Sequence, residues 1–282
     1  MILPAVLYVL ALVGLPFLFA VLLSFTDAKV ASERLHFVGL RNFTDILGSP
    51  SFRRALGNSF LFTACSQLIV MVGATLLALA LKETFRGRNL VRLLILLPWV
   101  APISLGAYGW KWILDSLYSV INWTLAAAHL ISPSDPPMWL GEPKLALASV
   151  IVVHAWRMLP FATVILLAGL TSIPRDIPEA AEVDGAGFWR MHWEVTLPLI
   201  RPIVNVAVLF GVIFTFTDMT VVYVLTRGGP HDATQVLPTL AFQTGILGGD
   251  LAGGAAISLF LFPLLLIVAL LMLRIARRAE VA

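Results

Sequence analysis

The chain has 282 residues, 59% hydrophobic and 12% charged, with a formal net charge of +3. Soluble domains carry about 25% charged residues, so this composition excludes both a soluble globular domain and intrinsic disorder. Cys65 is the single cysteine, which excludes an intrachain disulfide and a cysteine metal cluster.

At a mean hydropathy of +0.93 the length divides naturally into membrane spans. Six apolar stretches follow one another: Leu3–Phe25, Ser59–Leu81, Leu93–Leu114, Leu145–Leu170, Leu199–Leu225 and Ala252–Leu273. Each can cross about 30 Å of hydrocarbon as a helix rising about 1.5 Å per residue. The first stretch is longer than a signal-peptide core and lacks its basic flank, so it counts as a span. An even number of spans leaves both termini on one side. Lys82, Arg86, Arg88, Arg92, Arg175, Arg190, Arg201, Arg274, Arg277 and Arg278 fall on that side, and they place both termini in the cytoplasm. Against this orientation stands the first link, which holds Lys29, Arg34, Arg41, Arg53 and Arg54. No repeat of fixed period is present.

The link between the fourth and fifth spans has structure of its own. Asp176 and Glu179 stand at capping-box spacing, with Pro178 in the first turn and the helix formers Ala180, Ala181 and Glu182 following. Gly185-Ala186-Gly187 predicts a turn, Phe188–Val195 a second short helix, and Pro198 the return to the membrane. A helix pair in an internal loop is either a plain surface hairpin or a docking element for another protein.

Glu179-Ala180-Ala181, Gly185 and Val195-Thr196-Leu197-Pro198 have the spacing of a known motif. The segment resembles the EAA loop of binding-protein-dependent ABC importer permeases, with Val195 where that family has Ile. Phe37-Val38-Gly39-Leu40-Arg41-Asn42-Phe43 and Thr226-Arg227-Gly228-Gly229-Pro230 are similar to segments of the sugar-type branch, the maltose and glycerol-phosphate permease group. One departure is that only Met1–Leu3 precede Pro4, where members commonly begin with a basic cytoplasmic tail.

The resemblance implies an all-α polytopic membrane protein with about six transmembrane helices, the type I ABC importer permease fold. It implies one permease domain over residues 1–282, with a cytoplasmic coupling loop at 171–198, in a prokaryotic cytoplasmic (inner) membrane. In the family this loop sits in a cleft of an ATPase subunit, which assigns coupling to Glu179, Ala180, Ala181, Asp184, Gly185, Leu197 and Pro198. Glu179 would be an ion-pair or cap residue, Gly185 would allow the reversal, and the two alanines would permit close approach. No Gly-x-x-x-x-Gly-Lys-Ser/Thr occurs, so the chain has no P-loop. It is then not an enzyme: no cofactor belongs to it, and ATP and Mg are bound by partner ATPase subunits. The implied partners are a second homologous permease, two copies of an ABC ATPase, an extracytoplasmic sugar-binding protein and membrane lipid, with no nucleic acid.

Ionisable groups inside spans usually face a cavity or a partner. Lys111 lies between Trp110 and Trp112 near the end of its span, a snorkelling position. His154 suits a hydrogen bond between helices. Arg157 lies mid-span, and at 100° per residue Gly211, Phe214, Thr215 and Asp218 share one helix face. A guanidinium, a carboxylate, a hydroxyl and flat rings suit a sugar, whose hydroxyl pairs take bidentate hydrogen bonds. The family's sugar contacts come from the same regions, which assigns substrate binding to Arg157, Met158, Phe161, Gly211, Phe214, Thr215 and Asp218. An Arg157–Asp218 bridge that only holds the bundle together is the competing possibility.

The expected function is therefore translocation of a sugar, a di- or oligosaccharide, delivered by an external binding protein. A glycerol phosphate or another sugar phosphate is the alternative cargo. An ion-coupled secondary transporter using Arg157 and Asp218 as a relay is a more distant one. An intramembrane enzyme has no support, since neither His-Glu-x-x-His nor a convincing catalytic set is present.

Overall fold

The computed structural model describes residues 3–32 and 34–280, with residue 272 and residues 275–280 described by backbone alone. Met1 and Ile2, and the side chains of Arg277 and Arg278, lie outside what is described. The described chain is helical, and its extended pairing is confined to one isolated bridge between Thr26 and Phe37.

Helix α1 (Leu3–Ser24) is followed by α2 (Arg41–Gly48) and the long α3 (Pro50–Lys82). Then come α4 (Arg88–Val100), α5 (Ile103–Ile113), α6 (Val120–Ala127) and α7 (Pro143–Ser172). The remainder is α8 (Asp176–Val183), α9 (Phe188–Phe216), α10 (Thr220–Leu225), α11 (Leu237–Leu247) and α12 (Leu251–Glu280). Helices α1, α3, α7, α9 and α12 are each long and apolar enough to cross a membrane, and α4 with α5 makes a sixth, bent crossing.

The core is built on α3 and α7, which pack along their length with α9 laid against both. Small residues set the distance: Ala74 and Ala78 face Ala155 and Ala162, with Ala207 contributed by α9. Between membrane helices, where lipid is as apolar as the side chains, such close approach is the chief source of attraction. Gly73 shows how tight it is, because a Cβ there would lie 2.7 Å from Leu159. Helix α1 has no buried residue across its apolar window apart from its end, and it leans on α12 through Phe17 and Phe262, whose ring centroids are 5.3 Å apart.

Four sequence expectations change. The third span is two helices bent by 95°. Pro102 forces Ala101 into extended backbone (φ −63°, ψ 143°), which ends α4. The fifth span stops at Phe216 rather than Leu225, with a break at Thr217–Met219. Around Asp176 no capping box forms: Arg175 precedes the helix and no side chain caps it, so Asp176 and Glu179 both sit in the first turn and act on the helix dipole instead. Nor does Pro198 separate a second short helix from the fifth span. The chain runs from Phe188 through a widened turn at Met191–Thr196 straight into the span, and such widened turns accommodate a residue that donates no hydrogen bond.

The two other motif segments are tie points at one end of the bundle. Asn42 donates from Nδ2 to the carbonyls of Ser24 (2.8 Å) and Thr26 (2.7 Å), satisfying backbone acceptors left open at the end of α1. The Thr226–Pro230 turn places Arg227 and Gly228 at φ 53° and 86°. Beyond it, Asn58 of α3 reaches the carbonyls of Asp232, Ala233 and Gln235 at 3.0–3.1 Å.

Candidate functional site

The break after Phe216 is the centre of the site. Asp218 ends the turn, and its Oδ1 accepts from the backbone N–H of Val221 at 3.0 Å, which starts α10. Local competition of this kind for backbone donors is why Asp favours helix starts over helix interiors. Asp218 is therefore not on the helical face of Gly211, Phe214 and Thr215, but one step past its end.

Its other oxygen, Oδ2, accepts from Nη1 of Arg157 at 2.9 Å. The Asp218 side chain is 4% exposed and that of Arg157 24%. Guanidinium carries five N–H donors, and among the described residues Asp218 takes one bond from it, so several donors remain at its open edge. The Nδ1 of His154 lies 3.5 Å from the same Oδ2 without forming a hydrogen bond. His154 also spans to Thr215, with Nε2 and Oγ1 3.0 Å apart, and Gln67 donates to that hydroxyl at 3.1 Å. The histidine thus does bond between helices, as its position in the span suggested.

Beside this polar cluster stands an aromatic wall. Trp99, at the end of α4, stacks on Phe161 with centroids 4.8 Å apart and 26° between planes. Phe214 meets Phe161 edge-on with centroids 5.4 Å apart and lies tilted by 34° to Phe210 at 6.0 Å. The Arg157 guanidinium lies 5.7 Å from the Trp99 ring centre, a cation–π distance.

The candidate substrate residues divide in two. Arg157, Phe161 and Phe214 keep accessible surface. Met158, Gly211, Thr215 and Asp218 are buried within the bundle: Met158 against α3 and α9, and Thr215 in the hydroxyl network. Gly211 makes room for Gln67, whose Nε2 would lie 2.6 Å from a Cβ there. Trp99, Phe210 and Gln67 were missed. Trp99 stands between Pro98 and Ala101-Pro102, and that break is what turns it onto Phe161; Phe210 lies one helical turn before Phe214.

At the other end of the bundle, the 171–198 segment presents Glu179, Ala180, Asp184, Gly185 and Pro198 on its surface, with Ala181 and Leu197 half-buried. Gly185 has φ +81°, a left-handed turn residue. Val183 is 87% exposed and Phe188, Trp189 and Trp193 are also open, an apolar surface uncovered within this chain. A cavity of about 590 Å³ lies between this segment and the end of α3, lined by Lys82, Glu83, Pro178, Glu182, Phe188 and His192 among others.

Several long apolar helices, one broken crossing and a buried ion pair at a helix break define a polytopic membrane protein with a polar site inside its bundle. The comparisons make this specific: residues 5–281 match the family described as binding-protein-dependent transport system inner membrane component, and the chain belongs to it. It is a multi-pass inner-membrane permease subunit. It is 34% identical over 277 residues to the trehalose/maltose transport system permease protein MalF of Thermococcus litoralis, covering 98% of this chain and 92% of that one. It is 31% identical over 284 residues to the diacetylchitobiose uptake system permease protein DasB of Streptomyces coelicolor, covering 99% and 86%. The fold matches a chain of a bacterial alginate ABC transporter, crystallised in complex with an alginate pentasaccharide-bound periplasmic protein, with TM-score 0.82 at 23% identity over 99% and 93% of the two chains.

Proposed function

We propose that this permease carries a neutral sugar, a di- or oligosaccharide, through a pathway bordered by Arg157, Phe161, Phe214 and Trp99. The observation that supports this most is the Arg157–Asp218 pair beside an aromatic wall. Ring faces take the apolar faces of a pyranose, and the free edge of Arg157 takes its hydroxyl oxygens. Asp218 neutralises the guanidinium, which disfavours a phosphorylated cargo. The relatives named for trehalose, maltose and diacetylchitobiose support the same cargo class. Met158, Gly211, Thr215 and Asp218 then serve from behind, holding the accessible residues in place.

The subunit works with a second homologous permease, two ATPase subunits that bind ATP and Mg, and an external binding protein that delivers the sugar. Both termini face the cytoplasm. The 171–198 segment couples to the ATPase: the exposed apolar side chains around Val183 and Phe188 supply contact area, Glu179 an ion pair or cap, and Gly185 the reversal between the flanking helices. Closure of the ATPase pair moves this segment and converts an inward-facing cavity to an outward-facing one. No covalent chemistry takes place on this chain.

Proteoliposomes holding the permease pair test the proposal, with trehalose, maltose, diacetylchitobiose and glycerol 3-phosphate as probes. Uptake of a neutral disaccharide is expected only with ATPase subunits, ATP and binding protein present, and it should ignore an imposed ion gradient. Gradient-driven uptake by this chain alone, or uptake of glycerol 3-phosphate in preference to every disaccharide, would refute it.

A further inference from the structure

Between α5 and α7 the chain runs from Ser116 to Ser134 without a Lys, Arg, Asp or Glu, and α6 lies inside that stretch. Its polar side chains face the wrong way for a helix in water. Ser119 and Asn122 are buried against the bundle. Ser119 Oγ donates to the Ile113 carbonyl at 2.8 Å, Asn122 Nδ2 donates to the Pro137 carbonyl at 3.2 Å, and Trp139 Nε1 donates to Asn122 Oδ1 at 2.7 Å. The apolar side chains point outward instead. Leu117 is 84% exposed and Trp123 73%, with Tyr118 and Val120 open beside them. A helix on a water-facing surface has the opposite arrangement, apolar stripe inward and polar face out.

Donors on this outward side are satisfied from within the chain. Asp115 Oδ1 accepts from the backbone N–H of Leu117 at 2.8 Å and of Tyr118 at 3.0 Å. Thr124, beside Trp123 on the open side, donates its hydroxyl to the Val120 carbonyl at 2.7 Å. A segment that faces hydrocarbon must meet its hydrogen bonds internally. The same surface continues into α5, where Leu105, Tyr108 and Trp112 stand open at i, i+3 and i+7, with Lys111 next to Trp112. A docking face for a soluble protein that comes and goes would stand bare in water between encounters, and contiguous apolar patches are rarely left so. A bilayer covers such a face permanently.

We propose that α6 is an interfacial helix, seated in the membrane boundary at the end of the bundle opposite the 171–198 segment, with Leu117, Val120 and Trp123 against phospholipid acyl chains. Tyr118 and Trp123 carry the amphipathic rings that gather at headgroup level, where an O–H or an indole N–H reaches lipid oxygens. On its other side Asn122 ties the helix to Pro137 and Trp139, in the chain that leads into α7. The seat therefore sets the depth of the link between the bent crossing and α7, the helix that carries Arg157.

Nitroxide depth measurement tests this in the full complex of permease pair and ATPase subunits, reconstituted in vesicles of phosphatidylethanolamine and phosphatidylglycerol. The label is placed at Trp123→Cys or Leu117→Cys in a complex otherwise free of cysteine, Cys65→Ala included. Leu97→Cys, on the open side of α4, is the reference in lipid, and Asp135→Cys, exposed just past the uncharged stretch, is the reference in water. Dissolved oxygen should relax the labels at Trp123→Cys and Leu117→Cys more than a water-soluble nickel chelate does, placing them about 5–10 Å into the headgroup–acyl boundary. Chelate access equal to that at Asp135→Cys would return the face to water and overturn the proposal. Shielding from both reagents, in the resting complex or on adding the binding protein, would overturn it in favour of a protein partner. Both side chains are exposed, so cysteine in their place removes little packing within the chain. Failure of both variants to accumulate would show an internal structural role and overturn the proposal as well.

Discussion

The two members of the buried pair should not be equally costly to remove. Asp218 is 4% exposed at its side chain and Arg157 24%. Truncating Arg157 to alanine strands a carboxylate that cannot reach water, and removing one partner of a buried pair costs about 3–5 kcal/mol. Truncating Asp218 strands a guanidinium whose free edge is already open and whose stem can follow it. That charge is partly solvated, so its cost falls toward the ~0–1 kcal/mol of exposed pairs. Losing the oxygen that caps Val221 at 3.0 Å adds about 1 kcal/mol. At pH 8 the order should therefore be Arg157→Ala worse than Asp218→Ala by about 2 kcal/mol. Combining Arg157→Gln with Asp218→Asn removes both charges and should recover most of the loss. Thermal unfolding of the purified complex in detergent, with yield and uptake measured alongside, checks the order. Equal losses, or a larger loss for Asp218→Ala, would show that burial of the carboxylate does not govern the pair. Full yield with impaired uptake in both single variants would place the pair in transport and not in assembly.

At the other end of the bundle, Gly185→Val forces a β-branched residue into φ +81° where nothing lies within 4 Å, so backbone strain acts without a clash. Together with Glu179→Lys, it should leave the subunit inserted while transport-linked ATP hydrolysis falls at least tenfold, about 1.4 kcal/mol; normal stimulated hydrolysis in both would remove the coupling assignment. Gly254→Ala sets a Cβ 2.4 Å from the Gly245 Cα and 2.9 Å from the Ala241 carbonyl, backbone that cannot rotate away. It should cost about 1–3 kcal/mol as overpacking, whereas Gly57→Ala, inside α3 with nothing within 4 Å, should be neutral or stabilising by up to about 1 kcal/mol. A matched pair of melting curves decides between them.

Residence in a membrane, the position of most crossings and the loop that carries the family motif are all legible along the chain. Those features are local: runs of apolar residues, and residue types at fixed spacing such as Glu179, Gly185 and Pro198, need no partner to be recognised. Arg157, Asp218 and His154 are legible too, because a charge or imidazole amid apolar neighbours stands out along the chain. Their partners come from packing between distant segments. The sequence supports a helix through Leu225, yet the chain breaks at Asp218, because a carboxylate that can pair with Arg157 and cap Val221 at once gains more there than in an unbroken helix. Trp99 gave no functional signal because its role depends on the 95° bend that follows it and on Phe161 of a helix far along the chain. Gly211, read from the sequence as part of one helix face, makes room for Gln67, a contact between residues well over a hundred positions apart. Periodicity reports which residues share a face of their own helix. Which neighbour covers that face depends on the packing of α3, α7 and α9, and no single segment contains that information.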